Sequence, residues 1–403
     1  MLNIILFDSD ARDQLLPLTA TRPMGELRLG ILTLREKWER LLNGSVSYIT
    51  QEYLQGKFPI HIEEENLIIN AGLLPNAQIC ERIMQLKLNE ALLHNGDLVA
   101  ARLNEARFES LIDEEEVSEL QGKEIEDDIT LHYINHLWEI TRLNELALVA
   151  DFELITKGRK SQPVPGSNQV IGPAELIFLE EGAKIECCTL NTTAGPIYIG
   201  ANTDVMEGAK LRGPIAFGAG CIVKMDAKIY GPATFGPGCR VGGEIARSIF
   251  IANSNKAHDG YLGDSVIGEW CNLGADTNNS NLKNNYSEVK LWSYQSERFE
   301  KTGQQFVGLI MGDHSKCAIN TMFNTGTIVG VAANIFGAGF PRNFIPDFSW
   351  GGPGTPYRTY KFSDACETAA IVMARRNQYF TDLEKAVFYH IYDQTARFRS
   401  WEK

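Results

Sequence analysis

Between residues 199 and 241, eight apolar side chains recur at a constant spacing of six: Ile199, Val205, Leu211, Phe217, Val223, Ile229, Phe235 and Val241. Six of them follow a small residue two positions earlier, namely Thr203, Ala209, Cys221, Ala227, Ala233 and Cys239. A second train, Met311, Cys317, Phe323, Val329 and Ile335, obeys the same rule with Ser315, Thr321, Thr327 and Ala333. Helices repeat every 3.6 residues and ordinary strands every two, so neither gives a period of six. A parallel β-helix does, because three short strands make each coil and each turns one apolar side chain inward. The pattern therefore predicts a β-helix of hexapeptide repeats over 160–352, with small residues where the chain bends past its neighbour. Ile267 and Leu273 resume the spacing out of phase with Val241, so residues 245–260 are expected to leave the stack. The long polar and aromatic stretch from Leu282 to Gly308 is expected to leave it as well. Loops leaving a rigid stack are where such folds build their sites.

The flanking segments have other periods. Asn3–Phe7, Val46–Ile49 and Asn66–Asn70 read as short strands. Gly30–Leu42, with Ile31, Leu34, Trp38 and Leu41/Leu42 on one face, reads as a helix, as does Ile79–Leu86. Alternating strands and helices predict an α/β domain over 1–155, which a helix from about Leu131 to Leu148 closes. Residues 360–403 read as a helical tail, Ala365–Arg376 then Asp382–Arg399. The second helix is opened by a capping box running from Thr381 to Glu384.

Composition supports the division. Residues 1–150 hold 13 Lys/Arg against 26 Asp/Glu, which accounts for the whole net charge of −13, and only 7 of the 36 glycines. Without a basic face, nucleic acid is not an expected partner. No run approaches the roughly 18 uncharged apolar residues of a membrane span. Leu2–Phe7 is too short for a signal peptide. Eight cysteines without a CxxC pair suit a reducing cytoplasm, the expected compartment. Nine acids and one lysine between Asp113 and Asp128 read as a solvated loop or edge.

Candidate chemistry gathers in the repeat region. His258 lies in a polar stretch with Lys256 and Tyr261, where an imidazole can serve as general base or simply as a surface histidine. His132 and His136 could share a helical face, but no third ligand accompanies them. Asn278, Asn279, Ser280, Asn281, Asn284 and Asn285 suit turns and can also hold sugar hydroxyls. Arg342 follows the last repeat, where it can meet an anion or cap the stack.

The run from His258 to Asp264 (HDGYLGD), then Val266-Ile-Gly268 and the run from Asn272 to Thr277 (NLGADT), resembles a family signature. It is that of the bifunctional glucosamine-1-phosphate N-acetyltransferase / N-acetylglucosamine-1-phosphate uridylyltransferase family. Ser280-Asn281-Leu282 and Glu288-Val-Lys290 look like its archaeal branch. The resemblance covers 160–345 and extends to the domain order. It implies a Rossmann-like nucleotidyltransferase domain before a left-handed β-helix. Also implied are acetyl-CoA as cosubstrate, a sugar phosphate and a nucleotide or nucleotide sugar as partners, and a homotrimer with sites between subunits. By position, His258 would deprotonate the sugar amine, Tyr261 would contact the sugar phosphate, and Asn281 would bind the sugar or orient the base. Arg240 and Lys256 would be phosphate contacts, and Ala275 and Arg342 would lie along acetyl-CoA. Asp276 replaces a glycine usual in the family, and the lysine expected near Ser287 is missing.

The first domain departs further. Leu16-Pro-Leu-Thr19 and Arg22-Pro23 resemble the end of the nucleotidyltransferase signature, leaving Arg12 and Arg22 as phosphate contacts. The glycine-rich phosphate loop is replaced by acidic Asp8-Ser-Asp-Ala-Arg-Asp13, and Asn70-Ala-Gly72 stands where relatives carry Asn-Gly-Asp. Carboxylates there repel a triphosphate unless metal intervenes. Asp8 and Asp10, with Asp13, are the candidate magnesium ligands. Two readings follow: an amino-sugar-phosphate N-acetyltransferase with nucleotidyl transfer in its first domain, or a nucleotide-sugar sensor with a degenerate one.

Overall fold

A computed structural model of the chain describes residues 2–112, 121–125 and 129–402. Most of the acidic run from Asp113 to Asp128 lies outside these. The chain forms two compact units. The first comprises residues 1–15, 22–27 and 32–136; the second comprises 16–21, 28–31 and 137–403.

The first unit is built on a six-stranded sheet. Leu2–Phe7 pairs in parallel with Gly44–Ile49 on one side and Glu65–Asn70 on the other. Asp97–Asn104, Glu90–His94 and Gln121–Glu124 extend the sheet, the first two by antiparallel pairing. Ile4, Ile5, Leu6, Ile68 and Ile69 are buried, so the predicted strands are core strands. The helix Leu34–Leu42 starts at Thr33, whose side chain and that of Glu36 form a capping box. One prediction fails here: His132 belongs to a two-residue strand paired with Leu74, and the following helix begins only at Leu137. His132 and His136 therefore share no helical face, because the Leu73–Leu74 edge captures the first of them as a strand.

The second unit is a left-handed parallel β-helix with C-terminal helices. Strands of the first face begin at Gln169–Ile171, those of the second at Ile177–Leu179, and those of the third at Lys184–Ile185. Each then stacks in parallel on its equivalent one coil later. All thirteen residues of the two six-residue trains are buried. Phe217 stacks on Phe235 at 5.0 Å. The small residues two positions earlier do more than fit a bend. The Thr203 hydroxyl donates to the Gly218 carbonyl at 2.8 Å and accepts from the Cys221 amide, joining one coil to the next. Ser254 repeats this with Gly268 and Cys271, and Ser315 with Gly330 and Ala333. A buried hydroxyl is stable only when so satisfied.

The expected excursion at 245–260 does not occur. Glu244–Ala246, Ile249–Ala252, Asn255–Lys256 and Tyr261–Gly263 are ordinary coil strands in register with their neighbours. The phase slips because corners shorten: only Gly242 and Gly243 separate Arg240–Val241 from Glu244–Ala246. The inward positions then run Val241, Ile245, Phe250, Lys256, Leu262, Ile267 and Leu273, all fully buried or nearly so. The second excursion is real. After Asn278–Asn279 the chain leaves the stack and forms the hairpin Lys290–Ser293/Arg298–Lys301. It rejoins at Leu309–Met311.

The segment Arg28–Ile31 is woven into this unit. The Gly30 and Ile31 amides donate to Asn144 and Asp151 of the helix Leu137–Thr156 at 2.8 and 2.7 Å, and Arg28 donates to the Ile251 carbonyl. The tail forms the helices Phe362–Ala374 and Asp382–Gln394, the second opened by the predicted Thr381/Glu384 capping box. No helix among the described residues is long and apolar enough to cross a membrane.

Candidate active site at a corner of the β-helix

His258 sits in the turn that carries the chain from the third face to the first, between Asn255–Lys256 and Tyr261–Gly263. It is exposed, and its ring has no hydrogen-bond or ionic partner among the described residues. The turn beneath is the shortened Gly242-Gly243 corner. Gly243 has φ +76°, and a Cβ there would stand 2.8 Å from the His258 and Gly260 carbonyls. Glycine is thus required both for the backbone angle and for the close approach. Above His258, equivalent corners carry Ala275 and then Ile319; the Ala275 carbonyl accepts from the Asn320 amide at 2.8 Å. Ile319 is 67% exposed, and Met225, on the corresponding corner below, is 65% exposed. The histidine therefore lies on a ridge with unusually exposed apolar side chains.

Lys256 occupies an inward position that the repeat gives to an apolar residue, and it is fully buried. Its Nζ donates to the carbonyls of His258 at 2.6 Å and Asp259 at 3.0 Å. Burial pushes its pKa down to about 8, partly opposed by Asp259. The expectation that Lys256 contacts a phosphate is corrected accordingly. Its ammonium is enclosed and grips the histidine turn from inside the coil.

Beside the turn, on the first face, Tyr261 and Asn281 come together. Asn281 Nδ2 donates to the Tyr261 hydroxyl at 3.1 Å and to Asp264, while Asp264 takes both arms of Arg247 at 2.8 and 2.7 Å. Gly263 makes room for this, since a Cβ there would lie 2.3 Å from the Tyr261 hydroxyl and 2.8 Å from Asn281 Nδ2. Asn278 and Asn279 serve the stack, accepting from the Tyr261 and Gly263 amides at 2.7 and 2.8 Å. Burial raises the Tyr261 pKa, which keeps its hydroxyl protonated. Arg247 and Asp264 were not anticipated. Their signal is the local coil length: Arg247, Asp264 and Asn281 are spaced by 17 residues, as are Glu244, Tyr261 and Asn278.

The remaining expected residues are elsewhere. Arg240 projects from the third face and lines a cavity with the end of the first tail helix. Arg342 is exposed beyond the last full coil, its guanidinium over the Tyr357 ring at 5.4 Å.

In the first unit, Asp8 is buried and accepts from the Met24 amide at 2.8 Å and the Thr50 hydroxyl at 2.6 Å, with Arg12 at 3.5 Å. Burial raises its pKa. Arg12 is buried against Tyr53 and Asp13, Arg22 is buried, and Asp10 is exposed. Among the described residues, no three His, Cys, Asp or Glu side chains converge to hold a metal. The acidic loop therefore does not fit magnesium as proposed from its spacing: the Asp8 oxygens already serve Thr50, Met24 and Arg12. Ala71 of the Asn70-Ala71-Gly72 run is buried.

Comparison with known proteins finds likenesses to parts of the chain. Residues 4–160 match the family described as sugar nucleotidyl transferase. The bifunctional protein GlmU of Methanocaldococcus jannaschii is 39% identical over 87 residues, which is 22% of this chain and 21% of that protein. The bifunctional sugar-1-phosphate nucleotidylyltransferase/acetyltransferase of Sulfurisphaera tokodaii is 33% identical over 93 residues, 23% of each chain. The aligned stretch thus spans about a fifth of these curated relatives. Among solved structures, an Arabidopsis UDP-N-acetylglucosamine acyltransferase aligns over 53% of this chain and 80% of that one. Its identity is 11% and its TM-score 0.24, too low to add to the argument. The chain resembles the bifunctional sugar-phosphate nucleotidyltransferase/acetyltransferases, their archaeal members included.

Proposed function

We propose that the β-helix unit transfers acetyl from acetyl-CoA to the amino group of a sugar phosphate of the glucosamine-1-phosphate class. The observation that carries this reading is His258. It is an exposed imidazole without a partner among the described residues, on a turn gripped from beneath by Lys256 and flanked by the Tyr261–Asn281–Asp264–Arg247 network. In the reaction His258 takes a proton from the sugar ammonium. The free amine attacks the thioester carbonyl, and a backbone N–H of the neighbouring corner, near Ala275, stabilises the oxyanion. His258 sheds this first proton to solvent; as the C–S bond breaks and the amide forms, it takes the second proton from the nitrogen and passes it to the departing thiolate. Tyr261 and Asn281 orient the acceptor. Acetyl-CoA lies along the ridge toward Ala275 and Arg342. The trimer inferred from the resemblance would cover exposed Met225 and Ile319, and the compartment inferred is the cytoplasm.

For the first unit, the commitments of Asp8 favour binding of a nucleotide sugar or sugar phosphate over magnesium-dependent uridylyl transfer. The test of the acetyltransferase reading is a panel of amino-sugar phosphates with acetyl-CoA, following thiol release. Turnover with at least one 1-phosphate and none with the unphosphorylated sugars is expected. Absence of release with every acceptor would sink the reading.

A further inference from the structure

Against the third face of the β-helix, where the first tail helix ends, lies a cavity of about 370 Å³. Four cationic side chains from separate parts of the chain line it: Arg240, Lys316, Arg375 and Arg376. No aspartate or glutamate is among its lining residues. Two of the four, Arg376 and Lys316, are held in place. Arg376 donates to the Gly238 carbonyl and, at 3.0 Å, to Asn255 Oδ1, while Asn255 Nδ2 donates to Asn272 at 3.3 Å. Lys316 Nζ donates to the His314 carbonyl at 2.8 Å. Burial, together with the neighbouring Arg240, lowers the pKa of Arg376, the effect expected where like charges are gathered out of water.

Four cations around one cavity, with no acidic side chain among its lining residues, repel each other, and an anion relieves that repulsion. Guanidinium groups match the geometry of phosphate oxygens, and the two flanking asparagines supply further polar atoms. We propose that this cavity is a binding site for a phosphate group carrying two negative charges. It is separate from the His258 corner, and Arg240 belongs to it rather than to the acceptor site. The phosphate can be free, as inorganic phosphate or pyrophosphate, or be the terminal phosphomonoester of a larger ligand. The site joins the tail helix to the stack, so an occupied cavity also fastens the tail.

The test uses the full chain and reads binding without turnover, so it stands or falls apart from the acetyltransferase reading. Calorimetric titration with phosphate and pyrophosphate at matched ionic strength should show binding that chloride and sulfate-free controls lack. Arg240→Gln and Arg375→Gln, both at exposed side chains, should each weaken binding about tenfold, the loss expected for one charge-assisted contact of about 1.4 kcal/mol. Exposed Arg298→Gln should leave it unchanged. Competition then separates the sources. Displacement by coenzyme A but not by its 3′-dephospho form would assign the site to that phosphomonoester, whereas displacement by neither assigns it to free phosphate. Absence of phosphate binding, or affinity unchanged in the Arg240→Gln/Arg375→Gln double variant, would overturn the proposal.

Discussion

Replacing Lys256 by methionine keeps the length and volume of a side chain buried in the β-helix while removing its ammonium. In the folded chain burial holds this lysine at about 8 against an ordinary 10.5. Each pK unit is about 1.36 kcal/mol, so protonated Lys256 costs the fold roughly 3.4 kcal/mol relative to the unfolded chain. The direction follows from proton linkage. Between the two pKa values the unfolded chain binds a proton that the folded chain does not, so stability rises with pH over this window. About 2.5 kcal/mol of the cost should be recovered between pH 7 and pH 10. Urea unfolding of the wild type and Lys256→Met across that range isolates the effect, because the other titrations cancel in the difference. The variant's stability relative to wild type should fall by about 2.5 kcal/mol as pH rises. Parallel profiles would show that Lys256 is not held in a low-dielectric site, and the account of the histidine turn would fail with it. The same variant should lose acetyl transfer, since the carbonyls of His258 and Asp259 lose their shared donor.

Other consequences can be measured independently. Asp347 is buried, accepts from the Val331 amide at 2.6 Å and the Tyr294 hydroxyl at 3.3 Å, and is raised by burial to about 6. A raised carboxyl favours the fold below its unfolded pKa of 3.8 and loses that contribution as pH rises through 6. Asp347→Asn should therefore gain roughly 2 kcal/mol on wild type between pH 4 and pH 7, read by urea unfolding. Light scattering at micromolar concentration should return three times the 44.9 kDa chain mass; a monomer would count against a shared site. Pyrophosphate release from UTP and N-acetylglucosamine-1-phosphate should be weak with or without magnesium. Robust magnesium-dependent release that Asp8→Asn and Asp10→Asn abolish would reinstate the acidic loop as a metal site.

What could be read in the sequence was whatever repeats or whatever is chemically unambiguous. The six-residue trains located the core of the β-helix because every inward position in them is filled by an apolar residue. The Thr381–Glu384 capping box located a helix start because its two hydrogen bonds are local. The phase slip after Val241 was legible but misread. Missing corner residues and an excursion both break a period, and only coil-to-coil pairing tells them apart. Lys256 was visible as a residue but not as a core residue, because its place inside the coil depends on carbonyls supplied by a turn two residues away. The Arg247–Asp264–Asn281 stack was hidden by looking for a period of six when the local coil is 17 residues long. The use of Arg28–Ile31 by the second unit lay beyond any local signal, since its partners are Ile251, Asn144 and Asp151.

The claim that this corner is a catalytic one is tested most directly by His258→Gln. The side chain is exposed and has no partner among the described residues, so the variant should fold and unfold as the wild type does, which circular dichroism and urea titration can verify. With an amino-sugar 1-phosphate and saturating acetyl-CoA, loss of a general base should lower kcat by about 10²–10⁴-fold. KM for the acceptor should change little. A correctly folded variant that keeps the wild-type rate with every acceptor turned over by the wild type would contradict the account.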